Sequence, residues 1–321
     1  MVPPQYPCEI WLQIFRLACV DDGTTGRSLS LVCRFFRDVS REAKLQSLAI
    51  FGVEEMIKFS TILETLPEQD RKVRHLFMST ETAAMRHEGG ASQQGRFERT
   101  QPYELDRHRY ELAVKVWRRL LTFLSTSLTT LYIFSIRLAR SSLLAPVTLP
   151  FLVELHIAGP FPACYDIDPI PTFPTLRHLH FSGFHGCPVD VFSSVAQQAP
   201  QLMCLHLKPA QFSRNLCHDL QTIFHQKNKS SSSRTSGCGM SATVSMPSTF
   251  QKVFVYPGPE PSGLDAAGAL DIHRYSIQKL GLLSNLQNSK LALADPHSLL
   301  TLDDALEQWE AIVQFHLSDN S

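Results

Sequence analysis

Apolar residues recur along this chain with two different periods. Between residues 8 and 39 the period is helical. Ile10, Ile14 and Ala18 recur every four residues, with Trp11 and Phe15 widening the stripe, which is the spacing of an amphipathic helix. Pro7 suits the first turn of such a helix, where its missing N–H costs nothing, and Glu9 follows where a carboxylate favours the dipole. Asp21-Asp22-Gly23 ends the helix, and Thr24 or Thr25 can cap a second. In that second helix Leu29, Val32 and Phe36 form one row and Leu31, Phe35 and Val39 an adjacent one, leaving almost no purely polar side.

Further along, the period becomes that of short strands. Leu128-x-x-Leu131-x-Ile133, Leu152-x-x-Leu155-x-Ile157, Leu176-x-x-Leu179-x-Phe181 and Leu202-x-x-Leu205-x-Leu207 repeat one hexad at spacings of 24, 24 and 26 residues. Weaker copies stand at Val73-x-x-Leu76-x-Met78 and Phe250-x-x-Val253-x-Val255, the latter 48 residues after Leu202. One such strand cannot bury its apolar face alone, so the repeats predict a stack of parallel strands sharing one core. The intervening segments at 189–198 and 212–226 have helical character. Residues 104–125 read as a long helix with Leu112, Val116, Leu120 and Leu124 on one row.

A last helix, about 302–317, is acidic and amphipathic through Leu306, Trp309, Ile312, Val313 and Leu317, and reads as a polar-faced cap. Two stretches interrupt the pattern: a polar, turn-rich insertion at 79–103 and a Ser/Gly-rich run at 227–249 expected to be a disordered loop. The expected fold class is α/β, an N-terminal helical domain over 1–48 followed by a solenoid of parallel strands and helices over 49–321.

Composition narrows the function classes. A chain of 321 residues has room for about two domains. Its 44% hydrophobic and 19% charged residues exclude global disorder. Thirty basic against thirty acidic residues leave no net charge, so the broad positive field that neutralises phosphates is missing and nucleic acid is not an expected partner. The uncharged stretch between Arg140 and Glu154 carries Pro146 and Pro150 and is too short to span a bilayer. Met1-Val2-Pro3-Pro4 brings no basic segment, and Glu9 and Gln13 interrupt the apolar run that follows, unlike a secretory signal. The expected location is cytoplasmic or nuclear. Eight cysteines without a Cys-x-x-Cys pair fit reduced thiols better than a zinc module or a disulfide framework.

The order of residues in the helical segment adds something its period does not. Pro7-Cys8-Glu9-Ile10-Trp11-Leu12-Gln13-Ile14-Phe15, an acidic turn, and then Leu29-Ser30-Leu31-Val32-Cys33-Arg34-Phe35-Phe36-Arg37 resemble the F-box over about residues 3–48. The chain departs from that pattern at Tyr6, where the family usually has Leu. The resemblance implies docking on the Skp linker subunit, and through it on a cullin, in SCF-type ubiquitin ligases. Carried over by position, the docking residues are Pro7, Ile10, Ile14, Phe15, Leu29, Val32, Cys33 and Phe36. The hexads are similar to degenerate leucine-rich repeats of the kind found behind fungal F-boxes. They depart from that family at its Asn/Cys ladder, where this chain has Ile136, Pro160, Phe184 and Ala210, so irregular curvature is expected.

No catalytic constellation is evident. Gly-x-Ser-x-Gly, His-Glu-x-x-His and a phosphate-cradling glycine loop are all missing. No cofactor is expected, and the chain reads as a non-enzymatic adaptor. Strand alternation instead points Thr130, Tyr132, Glu154, His156, His178, His180, Cys204 and His206 away from the leucines. If neighbouring repeats pair in register, His156, His180 and His206 form a ladder at the inter-strand spacing of about 4.8 Å. Stacked histidines resist simultaneous protonation, so depressed pKa values are expected there, relieved in part by Glu154. Tyr132, Glu154, His156, His178, His180 and His206 are the expected substrate-facing residues. Zinc on His156, His180, His206 and Cys204 is not expected, because nearly flat strands splay ligands. Arg107, His108, Arg109, Lys115, Arg118 and Arg119 give the long helix a basic face, read as solvated.

The function this reading implies is substrate recognition for a ubiquitin ligase, the F-box holding the linker and the repeats holding a protein substrate. The alternative is a leucine-rich-repeat scaffold whose N-terminal helices only cap the array. A hydrolase assembled from distant segments stands third.

Overall fold

The computed structural model describes residues 6–82, 103–134, 147–159, 172–184, 191–210, 214–225, 246–261, 267–286, 290–298 and 300–318. Most of the 79–103 insertion and of the 227–249 run, with the ladder positions Ile136 and Pro160, lies outside them. In chain order the elements are α1 (Cys8–Ala18), α2 (Thr24–Val32), α3 (Arg34–Val39), β1 (Ser47–Phe51), α4 (Gly52–Thr65), β2 (His75–Ser79), α5 (Tyr103–Leu124), β3 (Thr130–Phe134), β4 (Glu154–Ala158), β5 (His178–Ser182), α6 (Val191–Gln198), β6 (Cys204–Lys208), α7 (Arg214–His225), β7 (Lys252–Val255), α8 (Ala267–Ser284), β8 (Leu291–Leu293) and α9 (Leu302–Ser318). The fold class is α/β, with parallel strands alternating with helices. All six hexads fall on strands. The chain divides into two compact units, one of residues 1–136, 149–152 and 301–321, the other of 137–148 and 153–300.

The first unit begins with the three N-terminal helices. Phe15, Cys19 and Ala43 form a buried centre against which Trp11, Leu12, Leu29, Phe36 and Val39 pack. Trp11, Phe15 and Phe36 sit with ring centroids 5.0–5.9 Å apart, within the range of favourable aromatic pairs. The single second helix expected from the apolar rows is broken at Cys33, whose backbone is extended. The Cys33 Sγ accepts from the Phe36 N–H at 3.4 Å, and Arg37 Nε donates to the Ser30 carbonyl at 3.0 Å, bridging the break. Capping also differs from expectation. The free N–H groups of Gly23, Thr24 and Thr25 donate to the carboxylates of Asp21 and Asp22, anions favoured at a helix start.

One glycine is dictated by packing. A Cβ on Gly26 would lie 2.3 Å from the Lys44 carbonyl oxygen and 2.8 Å from the Lys44 Cα. Both are backbone atoms that no side-chain rotation can clear. Gly26→Ala should therefore destabilise the chain by about 1–3 kcal/mol, as overpacking does, even though alanine is the better helix former. Urea unfolding measures it, and an unchanged midpoint would contradict this close approach.

The same unit continues into β1, β2 and β3, which pair in parallel with Leu48 opposite Leu76 and Leu76 opposite Leu131. The Arg74 and His75 N–H groups both donate to the Gln46 carbonyl, and those of Thr129 and Thr130 to the Arg74 carbonyl. On one side α4 packs beside β1 and β2, and α5 packs against α4. On α5 the buried row is Ala113, Trp117, Leu120, Leu121 and Leu124, while Leu112 is exposed. The helix is thus rotated from the row read in the sequence, because Trp117 is its largest apolar side chain. Lys115, Arg118 and Arg119 are exposed, and Arg119 pairs with Glu64 of α4. Over the other face lies α9, through Leu302, Ala305, Leu306, Trp309 and Val313, all buried.

In the second unit β4 to β8 run parallel in chain order. Leu155, Leu179, Leu205, Val253 and Leu291 stand opposite one another across the five strands, so the strands stack in one register. The paired N–H device recurs: Arg177 and His178 donate to Val153, Met203 and Cys204 to Arg177, Gln251 and Lys252 to Met203. The first apolar residue of each hexad, Leu176, Leu202 and Phe250, is buried just before its strand. Behind them Val191, Phe192 and Val195 of α6, Leu216 and Leu220 of α7 and Leu280 and Leu283 of α8 complete the core.

Candidate functional site

The residues that alternate with the leucines of the second unit form a continuous column. In-register pairing places His156 opposite His180, and His180 opposite His206. The imidazoles of His156 and His180 stack with centroids 3.7 Å apart and planes within 11°, those of His180 and His206 at 4.1 Å and 10°. The ladder expected from alternation and register is therefore present. It also runs one strand further, since His206 stacks on Phe254 at 4.7 Å. The Tyr256 hydroxyl lies 3.2 Å from His206 Nδ1. Lys208 Nζ stands 5.1 Å from the Tyr256 ring and Lys252 Nζ 5.3 Å from the Phe254 ring, at cation–π distance. Phe254, Tyr256, Lys208 and Lys252 were missed in the sequence, although carrying the alternation into Phe250-x-x-Val253-x-Val255 would have found Phe254.

Burial along the column is graded. Glu154 and His156 are buried, whereas His178, His180, Cys204 and His206 are half-buried. The expectation that Glu154 and His156 face an open surface is thus corrected: of the face expected to meet substrate, the β5 and β6 residues remain in contact with solvent. Glu154 explains how a buried position holds polar groups. Its Oε1 lies 2.7 Å from His156 Nε2 and 3.5 Å from His180 Nε2.

Burial also lowers the basicity of the column. The His156 pKa falls because desolvation outweighs the hydrogen bond and charge of Glu154. The His180 pKa falls well below its usual value through desolvation and its neighbours His156 and His206. That of His206 falls to about 4, chiefly by desolvation and then by His156. Lys208 is shifted down by burial as well. The unfolded chain therefore takes up protons below about pH 6.5 that the folded column refuses, so stability falls with pH in that window. Each of the three histidines contributes a slope of at most about 1.4 kcal/mol per pH unit. Urea unfolding at stepped pH should show the decline, and His206→Phe should make it shallower. Equal slopes in parent and variant would refute the assignment.

Tyr132 belongs to the first unit and is not a surface residue. It is 1% exposed, stacks on Phe77 at 5.2 Å, and Phe77 meets Trp309 of α9 at 5.9 Å. Burial, and then Asp304 of the same helix, raise its phenol pKa. The last helix thus covers the strand face that Tyr132 was expected to offer to substrate.

A different surface remains open on the N-terminal helices. Ile10 and Ile14 are 43% and 46% exposed, Val32 60%, and Pro7 is exposed too. Leu29, Cys33 and Phe36 are half-buried. Phe15 is 2% exposed and belongs to the helical core, which removes it from the expected docking set, because its ring is the hub of the aromatic cluster. Leu31, at 75%, and Leu17 are exposed as well; the carry-over by position does not reach them, although Leu31 lies inside the quoted motif.

No protein-family model, curated protein or solved structure gives a significant match to this chain. Among the described residues no helix is long and apolar enough to cross a membrane.

Proposed function

We propose that the chain is a substrate-recruiting adaptor whose N-terminal helices dock on the Skp linker of an SCF-type ubiquitin ligase and whose leucine-rich-repeat-like strands hold a protein substrate. The observation that carries it is the set Ile10, Ile14 and Leu17 on α1 with Leu31 and Val32 on α2, each large, apolar and exposed, on helices whose residue order resembles the F-box. Single exposed aliphatic residues are ordinary, but five on the two short helices α1 and α2 are the kind of uncovered apolar surface that marks a protein partner. The chain has no need of catalytic groups of its own. Holding a substrate near a conjugating enzyme raises its effective concentration, and the rate follows. The half-buried His178, His180, Cys204 and His206 with Lys208, Lys252, Phe254 and Tyr256 are the proposed substrate-contacting residues.

The test is calorimetric titration of purified Skp linker into the full chain. Saturable binding at micromolar or tighter affinity is the expected result; a folded chain that does not bind overturns the reading.

One observation favours the scaffold alternative. Gln46 Nε2 donates to the Arg16 carbonyl at 3.0 Å, and the Ala49 N–H donates to the Asp22 carbonyl at 3.2 Å. The helices are thereby stitched to β1, as a terminal cap would be. The two readings differ in what the exposed apolar residues do, and that difference is measurable.

A further inference from the structure

We propose that Glu154, His156 and His180 form a binding site for a divalent cation of the zinc class. Nearly flat strands were expected to splay such ligands, yet here three donors come together. Glu154 and His156 are two residues apart on β4 and so share a face, and His180 stands directly opposite His156 on β5. The two Nε2 atoms converge on one carboxylate oxygen, and the three donor atoms all lie within 4.8 Å of one another.

These separations are close to what a metal requires. Metal–ligand bonds of about 2.1 Å at tetrahedral angles place ligand atoms about 3.4 Å apart. The 3.5 Å between Glu154 Oε1 and His180 Nε2 already fits. The 2.7 Å between Glu154 Oε1 and His156 Nε2 is a hydrogen bond, which must lengthen by less than 1 Å as the cation takes the place of its proton. The imidazoles must also turn their Nε2 edges toward each other out of the present stack, a rotation about χ2, which is a soft torsion in histidine.

The donor set fits the ion. Two imidazoles and one carboxylate suit zinc, cobalt or ferrous iron better than calcium or magnesium, which prefer oxygen. One carboxylate cancels half of the ionic charge where Glu154 and His156 are buried. His206 stacks against His180 from the next strand and is held at Nδ1 by Tyr256, so it steadies the third ligand. With three protein ligands, a tetrahedral ion keeps one position for water or for a donor from a bound partner.

The experiment is titration of zinc chloride into the full chain after chelator treatment, followed by calorimetry, with cobalt chloride as a visible-absorption probe. One ion per chain at micromolar or tighter affinity is expected, with the intense visible bands of four-coordinate cobalt. In parent protein labelled with 15N, the Nε2 resonances of His156 and His180 should move on zinc addition. Loss of an outer-shell partner of a metal site typically costs roughly 10- to 100-fold in affinity, so Glu154→Gln and His180→Phe should each weaken uptake by about 100-fold or more. His180→Phe keeps an aromatic ring in the stack. His218→Ala, at an exposed histidine outside the column, should change nothing. Uptake that survives both ligand substitutions, or Nε2 resonances that stay put while zinc binds, overturns the site. So does the absence of saturable uptake. The resonance test needs no variant and decides even if one of them folds poorly.

Discussion

Ile14→Asp should leave the chain as stable as its parent and weaken Skp linker binding by about 100-fold, whereas Phe15→Ala should cost about 3–5 kcal/mol of stability. The two residues are neighbours on α1, and their exposures, 46% and 2%, set them apart. A carboxylate at position 14 meets water in the free chain, so folding has little to lose. In a docked complex the same carboxylate would be desolvated against an apolar partner, which is costly without a compensating charge. At position 15 the phenyl ring touches Trp11 and Phe36, and its removal leaves a cavity that these short helices cannot easily close. Calorimetry against the linker and urea unfolding read the two effects separately. If Ile14→Asp destabilises the chain as Phe15→Ala does, these exposed residues make an internal contact and the helices are a cap. If it does neither harm, they are not a docking surface.

The strands were legible because a parallel strand that returns in register repeats its burial requirement, and Leu-x-x-Leu-x-Leu is that requirement in one dimension. The same logic made the histidine ladder readable: alternation puts His156, His180 and His206 on one face, and equal register stacks them. β1 was missed although Leu45-x-x-Leu48-x-Ile50 fits the hexad, because it lies against the helical segment and outside the regular spacing. β8 was harder, since Asn288 occupies its first apolar position and only Leu291 and Leu293 remain. The convergence of Glu154, His156 and His180 was out of reach, as alternation assigns a face but says nothing of how the side chains on it meet. Nor could periodicity show that Cys33 interrupts a helix, because the apolar rows continue across the break.

The placement of the last helix was the least legible feature, and it leads to the second large effect. Trp309→Ala should destabilise the first unit by about 3–5 kcal/mol, the usual cost of emptying a large aromatic site, while Trp309→Phe should cost less than about 1.5 kcal/mol. The sequence shows that α9 has an apolar face, but which strands that face covers depends on a contact made across more than 170 residues. Trp309 is fully buried against Phe77, which in turn stacks on Tyr132. Among the described residues its indole N–H is buried without a hydrogen-bond partner, so replacing indole by phenyl loses some volume and no bond, and even removes a desolvated donor. Alanine, in contrast, empties the site. Thermal or urea unfolding orders the three proteins, and a Trp309→Phe variant as unstable as Trp309→Ala would mean that the indole nitrogen matters after all. The alanine variant should also expose Tyr132, since α9 loses its largest anchor on that face. Solvent accessibility of the Tyr132 phenol, followed by its titration, should then shift down toward the ordinary tyrosine range, because burial is the main cause of its elevation and Asp304 on the loosened helix is the other.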